Sequence, residues 1–293
     1  MKGPPVPRTA AIHDLSGFGR ASLTVIIPVL STMGIQVCPL PTAVLSTHTG
    51  GFQDYRFVDL SDHMRSMIEH WRSLDLSFDA IYSGFLGSSE QIEIVAGFID
   101  SFSRQEQLVL IDPVMGDEGK PYGPIRPELI RGMRGLIEHA KVITPNFTEG
   151  CFLLEREYRL KIGPGELKQW LIRLSDFGPS TVILTSVPLD RAGHSSSVVA
   201  YDREDGRFWK VDCSFVPAYY PGTGDVFASV ILGSLLQGDS LPIALDRAVQ
   251  FVTLAIKASF GYDLPRREGV VLERVLGSLK APLTSMTYEL ADW

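Results

Sequence analysis

Cysteine is scarce in this chain: Cys38, Cys151 and Cys213 are the three in 293 residues, odd in number and widely scattered. That excludes a disulfide framework and gives no metal-ligand spacing, so packing in a reducing cytoplasm is their expected role. Long apolar runs are missing too. The most hydrophobic stretch, 23–35, is broken by Pro28, Ser31 and Thr32 and is too short to span a bilayer. No apolar segment follows Lys2 and Arg8, so no signal peptide is expected. Basic charge does not prevail: 27 Lys and Arg face 34 Asp and Glu, a net −7 that argues against nucleic-acid or anionic-membrane partners. Internal repeats and low-complexity linkers are absent.

What is present is enough apolar material, 45% of the residues, to bury a large core, and one α/β domain over 1–293 is expected. Strand-like runs at Thr9–His13, Ile35–Pro39, Ala80–Ser83, Leu108–Asp112, Val142–Thr144 and Thr181–Thr185 alternate with helical patterns. Those helices lie near Ser22–Met33, Leu60–Ser73, Glu90–Arg104, Pro127–His139, Thr148–Leu154 and Gly165–Phe177. The alternation predicts a mainly parallel central sheet flanked by helices on both faces. Ser88 and Gln91 fit a capping box ahead of the third helix. Val198–Tyr201 and Phe208–Cys213 predict a small hairpin near 198–213. Three helices, Asp225–Gln237, Pro242–Ser259 and Gly269–Leu279, are expected to close the chain, with loosely packed ends at Met1–Pro7 and Ala281–Trp293.

Polar residues gather at one edge of this pattern. Asp14, Ser83, Asp112, Thr144, Asn146, Thr185 and Ser186 each fall at or just past the carboxyl end of a strand, the edge at which open α/β sheets bind ligands. Pro221-Gly222-Thr223-Gly224-Asp225 opens an apolar helix there. Two glycines let the backbone approach a ligand, and free N–H groups at a helix N-terminus suit phosphate oxygens. Asp225 in the same turn suits removal of a proton from an attacking hydroxyl, although a plain turn and cap would use the same residues. Asp112 and Asp117 offer hard oxygen donors for Mg²⁺, and Glu149 can serve a metal-bound water or the helix dipole, with Thr148 as the cap. Ser46-Thr47-His48-Thr49-Gly50-Gly51-Phe52, with Phe85, supplies hydroxyls, an imidazole and aromatics suited to a small aromatic ring. His13 and His48 are candidate acid–base groups, more often hydrogen-bonding or packing residues.

These motifs resemble the ribokinase-like superfamily: Gly222-Thr223-Gly224-Asp225, the run from Asp112 to Asp117, and Thr144-Pro145-Asn146 leading to Glu149. Ser46, His48-Thr49-Gly50, Ser83-Gly84-Phe85 with Gly87, and Thr185-Ser186 more closely resemble the pyridoxal/pyridoxamine kinases, in order from about Thr9 to Lys257. The resemblance implies ATP-dependent phosphorylation of the 5′-hydroxymethyl group of a B6 vitamer, with Asp225 as base and Gly222, Thr223 and Gly224 as the anion hole. It implies Asn146, Thr185 and Ser186 on nucleotide phosphates, and Asp112, Asp117 and Glu149 on the cations: Mg²⁺, with a monovalent cation left open. Asp14, Ser16, His48, Thr49, Phe85 and Asp225 are then the residues around the acceptor. A cytoplasmic homodimer is implied as well, with the strands around Gln36–Ala43 near its interface.

Three departures bear on the acceptor. Asp14-Leu15 stands where pyridoxal kinases commonly read Ser-His, Phe85 stands for Tyr, and Thr47 stands where Asn is usual. Asp14, Ser16, Gly17 and Gly19 are instead spaced as in the opening of hydroxymethylpyrimidine kinases, which makes that activity the alternative. A non-catalytic vitamer or nucleotide sensor, the alternative from another class, would be expected to lose the base or the metal acids.

Overall fold

The computed structural model describes residues 5–123, 125–189, 196–214, 216–283 and 285–291. β1 (Arg8–Ser16) runs into α1 (Leu23–Thr32), and β2 (Gln36–Leu45) returns parallel to β1 with Ala10 opposite Cys38. β3 (Phe57–Asp59) folds back antiparallel on β2 as an edge strand. α2 (Ser61–Ser73), β4 (Ala80–Ser83), α3 (Ser89–Phe102) and β5 (Leu108–Ile111) follow. A separate two-stranded hairpin, β6 (Gly116–Asp117) and β7 (Lys120–Pro121), comes next. α4 (Pro127–Ile137), β8 (Val142–Ile143), α5 (Phe147–Leu154), α6 (Pro164–Asp176) and β9 (Thr181–Val187) complete the alternation. β10 (Ser197–Asp202) and β11 (Arg207–Asp212) form the expected antiparallel hairpin. α7 (Thr223–Leu236), α8 (Leu241–Phe260) and β12 (Glu289–Leu290) end the chain. Proline in the first turn of α4, α6 and α8 explains their sharp starts, since its fixed φ suits a helix and its missing N–H has no partner there.

The main sheet is ordered β12-β11-β10-β9-β8-β5-β4-β1-β2-β3. β9, β8, β5, β4, β1 and β2 are parallel. After β1 the chain moves outward to β2, then crosses to β4 on the other side of β1. The reversal opens a crevice at the carboxyl ends of β1 and β4, where ligands bind in doubly wound sheets.

Side chains alternate across the strands and so build two cores. Ile12, Ile81, Ile111 and Ile143 pack under α2 to α6. Ala11, Tyr82, Leu110 and Val142 pack under α1, α7 and α8. Val226, Phe227, Val230, Ile231 and Leu232 are all buried, so α7 is apolar nearly all round and lies sandwiched between α1 and α8. That burial fixes where its N-terminus points.

Four local expectations need correcting. The segment 269–279 is not an α-helix but short 3₁₀ turns at Arg266–Glu268, Leu272–Arg274 and Leu276–Lys280. Gly269 is held at φ 81 against the backbone of Arg20, and the β-branched pair Val270-Val271 gives little helical support, while Val270, Leu272, Val275 and Leu279 are still buried. At Ser88 only half the capping box forms: Ser88 Oγ accepts from Gln91 N at 3.2 Å, but Gln91 Oε1 accepts from Gly87 N at 2.9 Å. Thr148 is not the cap of α5; that role belongs to Asn146. The carboxyl-terminal end is anchored where described: β12 pairs with β11, and Thr287 Oγ1 donates to the buried Asp246 at 2.6 Å.

Candidate active site

Gly222 caps α7 in the left-handed conformation, φ 81, and a Cβ there would run into the carbonyl oxygen of Arg20. Beyond it Thr223, Gly224 and Asp225, whose amides begin the helix without intrahelical acceptors, line the crevice. Gly224 is exposed, and the nearest atom to a Cβ would be Asp112 Oδ2 at 3.9 Å. The turn therefore presents bare backbone to the cleft, at the positive end of a helix.

The cleft has a volume of about 720 Å³. Asp14, His48, Thr49, Phe85, Asp112, Asp117, Asn146, Glu149, Thr185, Ser186 and the whole turn 222–225 line it. The strand-end pattern in the sequence thus converges on one site. Ser16, expected among the residues around the acceptor, is one exception. It is fully buried behind Asp14 and donates to Asp14 Oδ2 at 3.0 Å, supporting the wall rather than forming it. Ser83 and His13 are also buried away from the cleft. The His13 ring packs on Tyr82 with centroids 4.3 Å apart, and burial lowers its pKa to about 3, so it stays neutral.

Asp225 Oδ2 accepts from the backbone N–H of Ser22 at 2.8 Å. Loss of solvent raises its pKa to about 7; the Ser22 hydrogen bond opposes the rise and the Asp14 charge adds to it. Asp112 is pushed up to about 8 by burial and then by the charge of Asp225. Glu149 lies high as well, through burial first and the Asp112 charge second. Its Oε1 accepts from Met115 N at 3.0 Å and its Oε2 from Asn146 N at 2.8 Å. Asp117 is raised by burial, while its Oδ1 accepts from Glu118 N at 2.8 Å. Asp112 and Asp117 both raise Glu149, Asp225 raises Asp112, and no lysine or arginine among the described residues offsets them, which makes a place that suits a hard cation. No group of three or more His, Cys, Asp or Glu side chains forms a closed metal cage among the described residues.

His48 lines the cleft with both ring nitrogens engaged. Gly50 N donates to Nδ1 at 3.1 Å, and Nε2 lies 2.7 Å from Arg267 O, an arrangement that fits a neutral ring protonated at Nε2. Burial lowers its pKa. Sequence reasoning missed much of the remaining wall. Ser22 lies between Asp14 and Asp225, Tyr158 and Tyr219 stand near Asp117, and Val249, Val252, Thr253 and Ile256 of α8 form an apolar side. The α8 residues read simply as a helical core stripe, since nothing local tells a cleft-facing apolar residue from a packed one.

Bare amides at a helix start open to the cleft, a carboxylate in that turn and acids at the strand ends of a doubly wound sheet define a ribokinase-like phosphotransferase. The chain belongs to the phosphomethylpyrimidine kinase family, whose match spans residues 27–268. It is similar to a Bacteroides thetaiotaomicron protein provisionally named a phosphomethylpyrimidine kinase and crystallised with pyridoxal. The two are 53% identical with a TM-score of 0.95, covering 98% of this chain and 100% of the other. A pyridoxal kinase of Rubrobacter xylanophilus is 31% identical over 80% of this chain and 81% of its own length. A hydroxymethylpyrimidine/phosphomethylpyrimidine kinase of Mycobacterium tuberculosis is 27% identical over 90% of this chain and 93% of its own. Among the described residues no helix is long and apolar enough to cross a membrane.

Proposed function

We propose that this chain, as one kinase domain, transfers the terminal phosphoryl group of ATP to the 5′-hydroxymethyl group of a B6 vitamer in the cytoplasm. The observation that carries the reading is the pyridoxal in the Bacteroides relative, whose fold matches this one over nearly the whole chain. Asp225 takes the proton of the acceptor hydroxyl; with its pKa near 7 it is a better base than an ordinary aspartate, and about half of it is ionised at neutral pH. The amides of Gly222, Thr223 and Gly224 receive the charge that develops on the transferring group. Asn146, Thr185 and Ser186 lie where the phosphates run toward the apolar wall of α8, which suits a purine ring.

Asp112 and Asp117 would hold Mg²⁺, largely through water, with Glu149 adding negative charge behind them. The ion supplies neutralisation of phosphate charge. Thr49 and Phe85, with Asp14 and His48, form the acceptor end. A homodimer joined near Gln36–Ala43 and a monovalent-cation requirement complete the reading; sedimentation and a potassium titration test them.

A second acceptor is favoured by a specific feature. The Asp14 carboxylate, held by Ser16 and Ser22 at the cleft wall, suits an exocyclic amine such as that of hydroxymethylpyrimidine. Family membership sets the non-catalytic sensor aside. The deciding experiment is ATP-dependent turnover of pyridoxal, pyridoxamine, pyridoxine and hydroxymethylpyrimidine in parallel. Preference for the pyridines supports the proposal, and turnover of the pyrimidine alone overturns it.

A further inference from the structure

We propose that Ser22 is a positioning residue for phosphoryl transfer, holding Asp225 and Asp14 in one fixed relation. The proposal rests on the kinase reading above and adds to it a residue that no motif marks.

The Ser22 N–H donates to Asp225 Oδ2 at 2.8 Å, and its hydroxyl donates to Asp14 Oδ1 at 2.5 Å. Two carboxylates from distant parts of the chain, one on β1 and one on α7, therefore share one small residue. Their charges oppose each other, so a donor between them is what makes the close placement tolerable. Ser22 stands at the N-cap position of α1, yet its side chain makes no capping bond. A hydroxyl that ordinarily stabilises a helix start serves the cleft instead.

The backbone of Ser22 lies at φ 52, ψ −132, a region that a non-glycine residue rarely occupies and that persists only when its surroundings hold it. Those surroundings are visible. Arg20 N donates to Glu268 O at 3.0 Å, and Arg20 Nε lies 3.1 Å from both carboxylate oxygens of Glu273. Gly222 and Gly269 press on the Arg20 carbonyl from two sides, each too close for a Cβ. The 20–22 turn is thus wedged between the anion-hole loop and the carboxyl-terminal segment. Fixing Oδ2 of Asp225 leaves its other oxygen for the acceptor hydroxyl, and fixing Oδ1 of Asp14 orients the carboxylate beside the acceptor.

The test is a double-mutant cycle with Ser22→Ala, which keeps the N–H and removes the hydroxyl, in wild-type and Asp14→Ala backgrounds. Losing a hydrogen bond to a charged group should lower kcat/KM for the acceptor about tenfold in the wild type. The same change should cost less than about twofold once Asp14 is gone, because its partner is already missing. KM for ATP should stay within about twofold in both, since Ser22 contacts acceptor-side groups only. Ser22→Gly supplies the readout that a purely structural role would not move: it relaxes the backbone, so Tm should hold or rise, while kcat still falls. Equal losses in the two backgrounds, or a rise in KM for ATP matching that for the acceptor, would overturn the proposal. Wild-type turnover of pyridoxal and hydroxymethylpyrimidine separates the two readings. A wild type inert to both overturns the kinase reading and Ser22 with it, whereas an active wild type with additive losses overturns Ser22 alone.

Discussion

Asn146 and Glu149 close on each other at the start of α5: Asn146 Oδ1 accepts from Glu149 N at 2.9 Å, and Glu149 Oε2 accepts from Asn146 N at 2.8 Å. The remaining Glu149 oxygen accepts from Met115 N, which fixes the loop between Asp112 and Asp117 to the same helix. Glu149 is therefore a structural tie between two parts of the proposed cation site as well as a negative charge within it. Glu149→Gln leaves an amide NH₂ facing one of two backbone N–H groups. It should lower stability by about 1–3 kcal/mol in urea unfolding. It should also raise the Mg²⁺ concentration for half-maximal rate; an unchanged metal titration would leave only the structural role.

Asp225→Asn should cut kcat by about 10²–10⁴-fold with modest change in KM, as expected for loss of a general base. Near-normal turnover would remove Asp225 from the chemistry.

The pH profile gives a second check on the same residue. A base must be ionised, and a carboxylate raised to about 7 loses its charge as pH falls through that value. In the free enzyme kcat/KM should therefore rise with pH across about 6–8. Bound cation would move the rise toward acid, because positive charge favours the ionised form. A flat profile over that window, with both substrates in constant ionisation states, contradicts the assignment.

The two glycines of the turn should behave differently. A Cβ at Gly222 meets the Arg20 backbone and sits at φ 81, so Gly222→Ala should destabilise the fold by about 1–3 kcal/mol as well as slow turnover. Gly224 is open to the cleft. Gly224→Val should keep the circular dichroism spectrum and urea midpoint near wild type, yet impair ATP binding and rate by crowding the phosphate position. A folded, fully active Gly224→Val would rule out the anion hole.

The parallel sheet was legible because strand and helix periods alternate cleanly between Thr9 and Thr185, and the cleft because polar residues end those strands. Residues whose role depends on distant partners were not. Ser22 reads as a helix cap until Asp14 and Asp225 are brought to it from elsewhere in the chain. Ser16 reads as an acceptor contact until it is found fully buried on the same face of β1 as Asp14, spent on a hydrogen bond to that carboxylate and outside the cleft lining. The stretch 269–279 carries helical apolar spacing, but close packing of Gly269 on Arg20 broke it into 3₁₀ turns. The short β6 and β7 strands escaped notice because two-residue pairings have no period to read.

Asp14 decides the acceptor in the last prediction. It is nearly fully buried, and burial raises its pKa above the ordinary aspartate value, against hydrogen bonds from Ser22 and Ser16 that lower it. Two hydroxyls already satisfy part of its acceptor capacity, so a ring placed against it gains only by offering a further donor. A pyridinium N–H or a pyrimidine amine can do so; a neutral pyridine nitrogen sets acceptor against acceptor unless the carboxyl is protonated. Asp14→Ser removes the charge and restores the residue common in pyridoxal kinases, so turnover should persist while preference shifts toward pyridoxal. The measurement is the ratio of kcat/KM for pyridoxal over hydroxymethylpyrimidine in wild type and variant. A change of about 10-fold or more is expected, in line with a hydrogen bond to a charged group. An unmoved ratio with retained activity would mean that Asp14 serves only to brace Ser16 and Ser22, and specificity would then have to be sought at Phe85 and Thr49.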